Sequence, residues 1–289
     1  MKPARFDYQR PETLAAALGM LAENADETRI LAGGQSLVPM MNVRMAKPAR
    51  LVDINRLPGL DYIKHEKNQI RVGALARHAD VKASALIRDH CPLVAEAYEW
   101  IAHGAVRNRG TLCGNLCHAD PASEMPAILQ ALEATFVAQS QSGMREIPAT
   151  AFFKGVYETA LVLGEMLIEV RIPTRTTSQT WGFREVSMRK GDFAWVLVAC
   201  VVTIKGGIVS DARIATAGVS DRALRLTAVE TAIAGRTLAA EICREAGQRA
   251  QDEIDPSHDA MTSAEYRRDV LGTLVARTLA DAAGRAAGQ

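Results

Sequence analysis

Two short glycine-bearing segments constrain this chain more than any other feature: Ala32-Gly33-Gly34-Gln35-Ser36-Leu37, and the later run Thr111-Leu112-Cys113-Gly114-Asn115-Leu116-Cys117-His118-Ala119-Asp120-Pro121-Ala122-Ser123-Glu124. Each combines glycine, which lets a backbone approach closely, with a Ser or Thr hydroxyl and successive main-chain N–H groups, the ingredients of an anion cradle. Taken singly, each also fits an ordinary turn. Neither has the GxGxxG spacing of a Rossmann fold, and no GxxxxGK[ST] loop occurs anywhere in the chain. A phosphate held here therefore needs another architecture, with the two segments as opposite walls of one site.

The patterning around the first segment is that of a small unit of strands and helix. Pro11-Glu12-Thr13 opens a stretch with Leu14, Leu18 and Leu21 at helical spacing, so residues 11–23 are expected to form an amphipathic helix. Arg29-Ile30-Leu31 is a short strand feeding the glycines, and Arg50-Leu51-Val52-Asp53-Ile54 is a second. Farther on, 68–75 alternates as a half-buried strand does, helical patterns follow at 81–87 and 93–101, and Arg107-Asn108-Arg109-Gly110 leads into the second segment. Beyond that segment come a helix at 126–132, a strand at 134–138 with a hairpin return at 144–147, and a cleanly alternating strand at 165–172 that Pro173 ends.

The polar loop Thr174-Arg175-Thr176-Thr177-Ser178-Gln179 is the expected domain boundary. It separates a domain over 1–175, with parts at about 1–55 and 56–175, from one over 180–289. In the second domain, strands at 181–188 and 195–204 and a Gly206-Gly207 hairpin into 208–219 predict a three-stranded antiparallel sheet followed by helices. The last helix is marked by Thr262 and Glu265 as a capping box.

Composition excludes several function classes. With 289 residues and a formal net charge of +1, the chain has no basic face for nucleic acid as its main partner. The longest apolar run, 194–204, is too short to span a bilayer, and the charged N-terminus lacks a signal-peptide pattern, so a cytoplasmic location is expected. Five scattered cysteines fit reduced thiols better than a disulfide framework. Cys113, Cys117 and His118 would need a fourth, distant ligand to close a metal site, so no resident metal is expected. No Ser-His-Asp, HExxH or paired-carboxylate signature is present, so redox power would have to come from a bound cofactor.

Taken together, Ala32-Gly33-Gly34-Gln35-Ser36-Leu37, Val52-Asp53-Ile54, Val72-Gly73-Ala74, Gly110-Thr111-Leu112-Cys113-Gly114-Asn115, Ala119-Asp120-Pro121 and Arg189-Lys190-Gly191-Asp192-Phe193-Ala194 resemble the FAD-binding medium subunit of molybdenum hydroxylases, in order and spacing, over nearly the whole chain. Ser263-Ala264-Glu265-Tyr266-Arg267 is similar to the family's closing helix. The resemblance implies an α+β fold: a two-part α/β FAD-binding domain of the PCMH type, then the C-terminal domain with its antiparallel sheet and helices. It also implies that Ala32, Gly33, Gly34, Gln35, Ser36 and Leu37 form one wall for the FAD pyrophosphate, and Thr111, Cys113, Gly114 and Asn115 the other. Asp120 and Glu124 would serve the adenosine end, Arg184 a basic contact, and Asp192 and Phe193 the isoalloxazine. Cys113 departs from the glycine usual at that place, and a side chain there is expected to crowd the pyrophosphate or to demand a different loop path.

The implied function is a FAD-binding electron-transfer subunit of an oxidoreductase. A large subunit would carry the molybdopterin cofactor and a small subunit two [2Fe–2S] clusters, commonly as a dimer of heterotrimers, with NAD, oxygen or a quinone as electron acceptor. None of the cysteines of this chain has iron–sulfur spacing, which puts those centres on partner chains. The segments Arg107-Asn108-Arg109-Gly110-Thr111-Leu112 and Ala122-Ser123-Glu124-Met125-Pro126 lean toward the enzymes of N-heterocycles. Two rivals stay open at this level: a self-sufficient flavin oxidase or dehydrogenase using His103 or His118 as base, and a scaffold subunit that has lost FAD.

Overall fold

A computed structural model describes residues 1–256 and 258–287. The first glycine segment leaves a three-stranded parallel sheet in which Arg50–Asp53 lies between Asp7–Gln9 and Thr28–Leu31. The helix Leu14–Glu23 covers this sheet through Ala17, Leu18 and Leu21. It starts at Leu14, not at 11, because the Thr13 hydroxyl caps it, accepting from the Ala16 N–H at 3.1 Å.

The second segment belongs to a layer built on a five-stranded antiparallel sheet. Its order is Ile63–Glu66, Gln69–Gly73, Met166–Pro173, Thr135–Ser140 and Gly143–Pro148. The alternation expected at 165–172 places Met166, Leu167, Val170 and Ile172 in the core, with a bulge between Leu167 and Glu169. The helices His78–Ala83, Ala85–His90, Pro92–Ala97, Leu112–His118 and Glu124–Ala131 complete this layer.

The C-terminal half is a four-stranded antiparallel sheet, Gln179–Ser187, Ala194–Lys205, Ile208–Ala217 and Leu224–Arg225. The fourth strand corrects the three-stranded expectation. It has two residues, too few to carry a period. The sheet is buried on both faces, which explains why 194–204 reads as an almost unbroken apolar run. Leu197, Ala199 and Val201 join the core of the N-terminal half, whereas Val196, Val198, Cys200 and Val202 pack under the helices Ala240–Glu253 and Ala264–Ala287. No helix among the described residues is long and apolar enough to cross a membrane.

The start of the last helix differs from the expected capping box. Ser263 supplies the cap, its hydroxyl accepting from the Tyr266 N–H at 3.1 Å, while Thr262 Oγ1 accepts instead from Arg267 Nε at 2.6 Å. Arg267 also donates to the Gly218 carbonyl oxygen at 2.6 Å, which ties this helix start to the edge of the sheet that faces the N-terminal half.

Candidate functional site

The two glycine segments meet. A Cβ on Gly33 would lie 2.4 Å from the Arg109 carbonyl oxygen and 2.6 Å from the Gly110 Cα, so only glycine fits where the first segment crosses the entry to the second. Gly34 turns the chain with φ of +73°, the left-handed region that glycine adopts without strain. The helix Leu37–Asn42 then begins at Ser36, whose hydroxyl makes no capping bond and remains available to a ligand. Gln35 is exposed beside it.

The second segment forms the helix Leu112–His118, and this helix has two faces. Leu112, Cys113 and Leu116 point into the core; Gly114 and Cys117 are exposed, and Asn115 and His118 are half-buried. Asn115 Nδ2 donates to Ser123 Oγ at 2.9 Å, linking the helix to the loop that follows it. Ala119 ends the helix in the left-handed region at φ of 52°, and its carbonyl accepts from the N–H of Tyr157, itself at φ of 57°. The Tyr157 ring stacks on His118 at 4.8 Å between centroids. Asp120 sits between them, 3.9 Å from His118 Nε2 and 3.5 Å from the Tyr157 hydroxyl, and accepts from the Ala122 N–H at 2.9 Å.

The C-terminal half docks on this same loop. The Ala194 N–H donates to the Ala122 carbonyl at 3.2 Å and the Gly218 N–H to the Pro121 carbonyl at 2.9 Å. Gly191, at φ of +95°, packs on His103 and the Ala102 carbonyl. Asp192 accepts from Arg189 Nε at 2.9 Å, and Phe193 is 51% exposed at the start of the strand. An aromatic so exposed is available for contact with a ligand, which a core position would not allow. The structure therefore gathers the first segment, the outer face of 112–118, the loop 119–123 and the turn 189–193 around one region.

Residues 4–175 match the family described as FAD binding domain in molybdopterin dehydrogenase, and residues 181–282 match the CO dehydrogenase flavoprotein C-terminal domain. The chain belongs to the FAD-binding medium subunits of molybdenum hydroxylases. Among its relatives, the 6-hydroxypseudooxynicotine dehydrogenase complex subunit alpha of Paenarthrobacter nicotinovorans is 41% identical, over 99% of this chain and 97% of that protein. The caffeine dehydrogenase subunit beta of a Pseudomonas species is 38% identical over 99% and 97%. Among solved structures, carbon monoxide dehydrogenase from Hydrogenophaga pseudoflava superposes with a TM-score of 0.96 at 37% identity, covering 99% of both chains. Quinoline 2-oxidoreductase from Pseudomonas putida 86 superposes with a TM-score of 0.94 at 35% identity, also over 99% of both chains. The medium subunits are parts of oxidoreductases, and FAD is the cofactor of this family.

The residues present suit the pyrophosphate of FAD: a free Ser36 hydroxyl, an exposed Gln35, and the exposed Gly114, which leaves the outer face of its helix without a side chain at that position. Four of the residues expected at the cofactor make other contacts within the chain. Thr111 is buried, and its Oγ1 accepts from the Gly114 N–H at 3.0 Å, so both groups are engaged in capping the helix. Cys113 lies on the core face of the helix, where burial pushes its thiol pKa well up. Its side chain lies away from the outer face on which Gly114 is exposed.

Glu124 is only 3% exposed, buried at the start of its helix and not presented on the loop surface. Arg184 faces the last helix, where it pairs with Asp281 through Nε at 2.7 Å and Nη2 at 2.9 Å. Its strand neighbours alternate with it. Thr180 and Gly182 touch the same helix, whereas Trp181 and Phe183 turn to Glu96 and Trp100 of the N-terminal half.

Glu185 also turns to the N-terminal half, and it is an unusual group. It is 7% exposed, neither carboxylate oxygen has a hydrogen-bond partner, and the nearby Ser187 hydroxyl donates to the Arg189 carbonyl instead. Burial, with Glu124 close by, pushes the Glu185 pKa up to about 8, and burial raises Glu124 to about 7. Two buried carboxyls held above the usual carboxylate range thus lie at the junction of the halves, immediately behind the loop 119–123.

Residues that the sequence pattern did not single out include Asn55, Arg77, Tyr157 and Glu185. They lie outside the glycine segments and belong to no motif. The one available hint was Asn55, two positions after the Asp53 of Val52-Asp53-Ile54.

Proposed function

We propose that this chain is the electron-transfer subunit of a heteromeric molybdenum hydroxylase, receiving electrons from [2Fe–2S] clusters on a small subunit and delivering them to an external acceptor such as NAD, oxygen or a quinone. A large subunit carries the molybdopterin cofactor, and the assembly is a dimer of heterotrimers in the cytoplasm. The observation that carries this reading is the direct packing of Gly33 on Arg109 and Gly110, which sets the two glycine segments side by side as one site. Within it, Gly33, Gly34, Gln35 and Ser36, with Gly114 and Asn115, hold the pyrophosphate; Asp120 accepts from ribose hydroxyls; and the exposed Phe193 with Asp192 borders the isoalloxazine. Bound FAD supplies the change from one-electron to two-electron transfer. The chain's own part is to orient the cofactor and to close over it from the C-terminal half. Its domains divide at the loop 174–179, between 1–175 and 180–289.

The substrate of the complex is proposed to be an N-heterocycle or a related amine-bearing compound. The resemblance in 107–112 and 122–126 supports this, as do the 41% and 38% identities to subunits named for 6-hydroxypseudooxynicotine and caffeine dehydrogenases. The test is to titrate the purified chain with FAD, following flavin absorbance and fluorescence quenching, and then to isolate the complex from its native host for flavin, iron and molybdenum analysis. One flavin per chain, with iron and molybdenum in the complex, is expected. A chain that leaves added FAD free in solution would sink the proposal.

A further inference from the structure

Arg77 belongs to neither glycine segment, yet it is bonded toward both. It stands at the start of the helix His78–Ala83, half-buried, and pairs with Thr111 in an isolated antiparallel bridge. Its Nη1 donates to the Arg109 carbonyl at 2.6 Å, at the entry to the second segment. Its Nη2 donates to Asn55 Oδ1 at 2.8 Å. Asn55 Nδ2 in turn donates to the Ala32 carbonyl at 2.8 Å, at the entry to the first segment, and to Asp53 Oδ1 at 2.6 Å.

The Arg109 carbonyl that Arg77 holds is the same atom against which Gly33 packs. One guanidinium therefore fixes the contact point of the two walls from the side. Its planar fork suits this, since two donors in a rigid plane define a direction as well as a distance. Both guanidinium bonds go to neutral acceptors, and burial first, then the nearby Arg109, disfavour the charge on Arg77, against the opposing fields of Asp80, Asp53 and Asp61. A dianion received between the segments would relieve the repulsion between the two arginines.

We propose that Arg77 is the positioning residue of the cofactor site: through the Arg109 carbonyl and through Asn55 it sets the gap between the glycine segments, and it supplies positive charge to the pyrophosphate received there. This inference rests on the reading of the site as a FAD cradle. The structural half of it, the staple, stands on the ligand-free chain alone.

The test compares the wild-type chain with Arg77→Met, Arg77→Lys and Asn55→Ala. Two measurements are made: FAD, ADP and adenosine binding by calorimetry, and amide hydrogen exchange of the ligand-free chain over 32–36 and 109–115. Charge-assisted hydrogen bonds are lost in Arg77→Met, so FAD and ADP are expected to bind about tenfold to a hundredfold more weakly, with adenosine unchanged. Arg77→Lys, which keeps the charge without the fork, should recover part of the ADP affinity. Both segments should exchange faster in Arg77→Met and Asn55→Ala, while the five-stranded sheet keeps its protection. Wild-type affinity for FAD and ADP in Arg77→Met, or unchanged exchange in both segments, overturns the inference. If the wild-type chain itself leaves FAD unbound, the cofactor reading falls, and the exchange data still decide the staple. Should Arg77→Met fail to fold, Asn55→Ala breaks the same link without removing a charge, and its exchange and FAD affinity decide.

Discussion

The first glycine segment is held entirely by the N-terminal half, whereas the second is held from both halves. Gly33 and Gly34 are dictated by backbone geometry, a 2.4 Å approach and a left-handed φ, within a unit of parallel strands. The second segment is a capped helix whose following loop is bonded to Ala194 and Gly218 of the C-terminal half and backed by Glu124 against Glu185. Similar glycine-bearing sequences thus serve different ends: the first wall is a surface held within one half, and the second is a surface bonded to the C-terminal half and backed by two buried acids.

The sharpest way to break the comparison is Gly33→Ala. The added methyl meets backbone on both sides and cannot be relieved by a rotamer change, so a loss of about 3 kcal/mol in urea unfolding is expected, at the upper end for overpacking, together with loss of FAD binding. A variant of wild-type stability would show that the two walls are not in contact.

The second effect in size should touch only the second wall. The Glu185 carboxyl holds its proton in the folded chain up to about pH 8, while the unfolded chain releases it near the ordinary value of 4.5. Between these values the folded state binds more protons, so stability falls as pH rises from about 5 to 8. Glu185→Gln keeps the shape without the charge. It should flatten that slope and raise stability at pH 8 by about 2 kcal/mol or more, with a much smaller gain at pH 5. Amide exchange of Ala194 and Gly218, corrected for intrinsic rates, should slow in the variant at pH 8, with 32–36 unaffected. An unchanged pH slope would show that Glu185 is paired in solution.

Gly114→Ala should separate stability from binding. Its methyl would lie 2.7 Å from Thr111 Oγ1 and disturb a cap worth about 1 kcal/mol, while alanine regains a similar amount in helix propensity. Net stability should therefore change by less than about 0.5 kcal/mol, while FAD affinity falls because the outer face is covered. The smallest effect on binding is expected for Cys113→Ala. A core thiol is lost at a cost of about 1 kcal/mol in thermal unfolding, with FAD affinity unchanged. A gain in FAD affinity would return the Cys113 side chain to the cofactor face.

The chain's own sequence determined where the glycine segments lie, the alternation at 165–172, and the long apolar strand at 194–204, because such local periods follow from backbone geometry that each segment carries within itself. It also determined the family, since the motifs recur in order along the chain. Tertiary structure alone decided which way each side chain faces and what meets what. Cys113 and Gly114 are adjacent in sequence, yet one lies in the core and the other at the surface. Arg184 and Glu185 are likewise adjacent, one paired with Asp281 and the other buried without a partner against the opposite half. Which parity of a strand or face of a helix turns inward depends on what packs against it, and for a sheet covered on both sides the apolar pattern no longer distinguishes them. The contact of Gly33 with Arg109, and the link from Arg77 through Asn55 to Ala32, join residues far apart in the chain, and no local pattern records a contact made only after the sheets have packed.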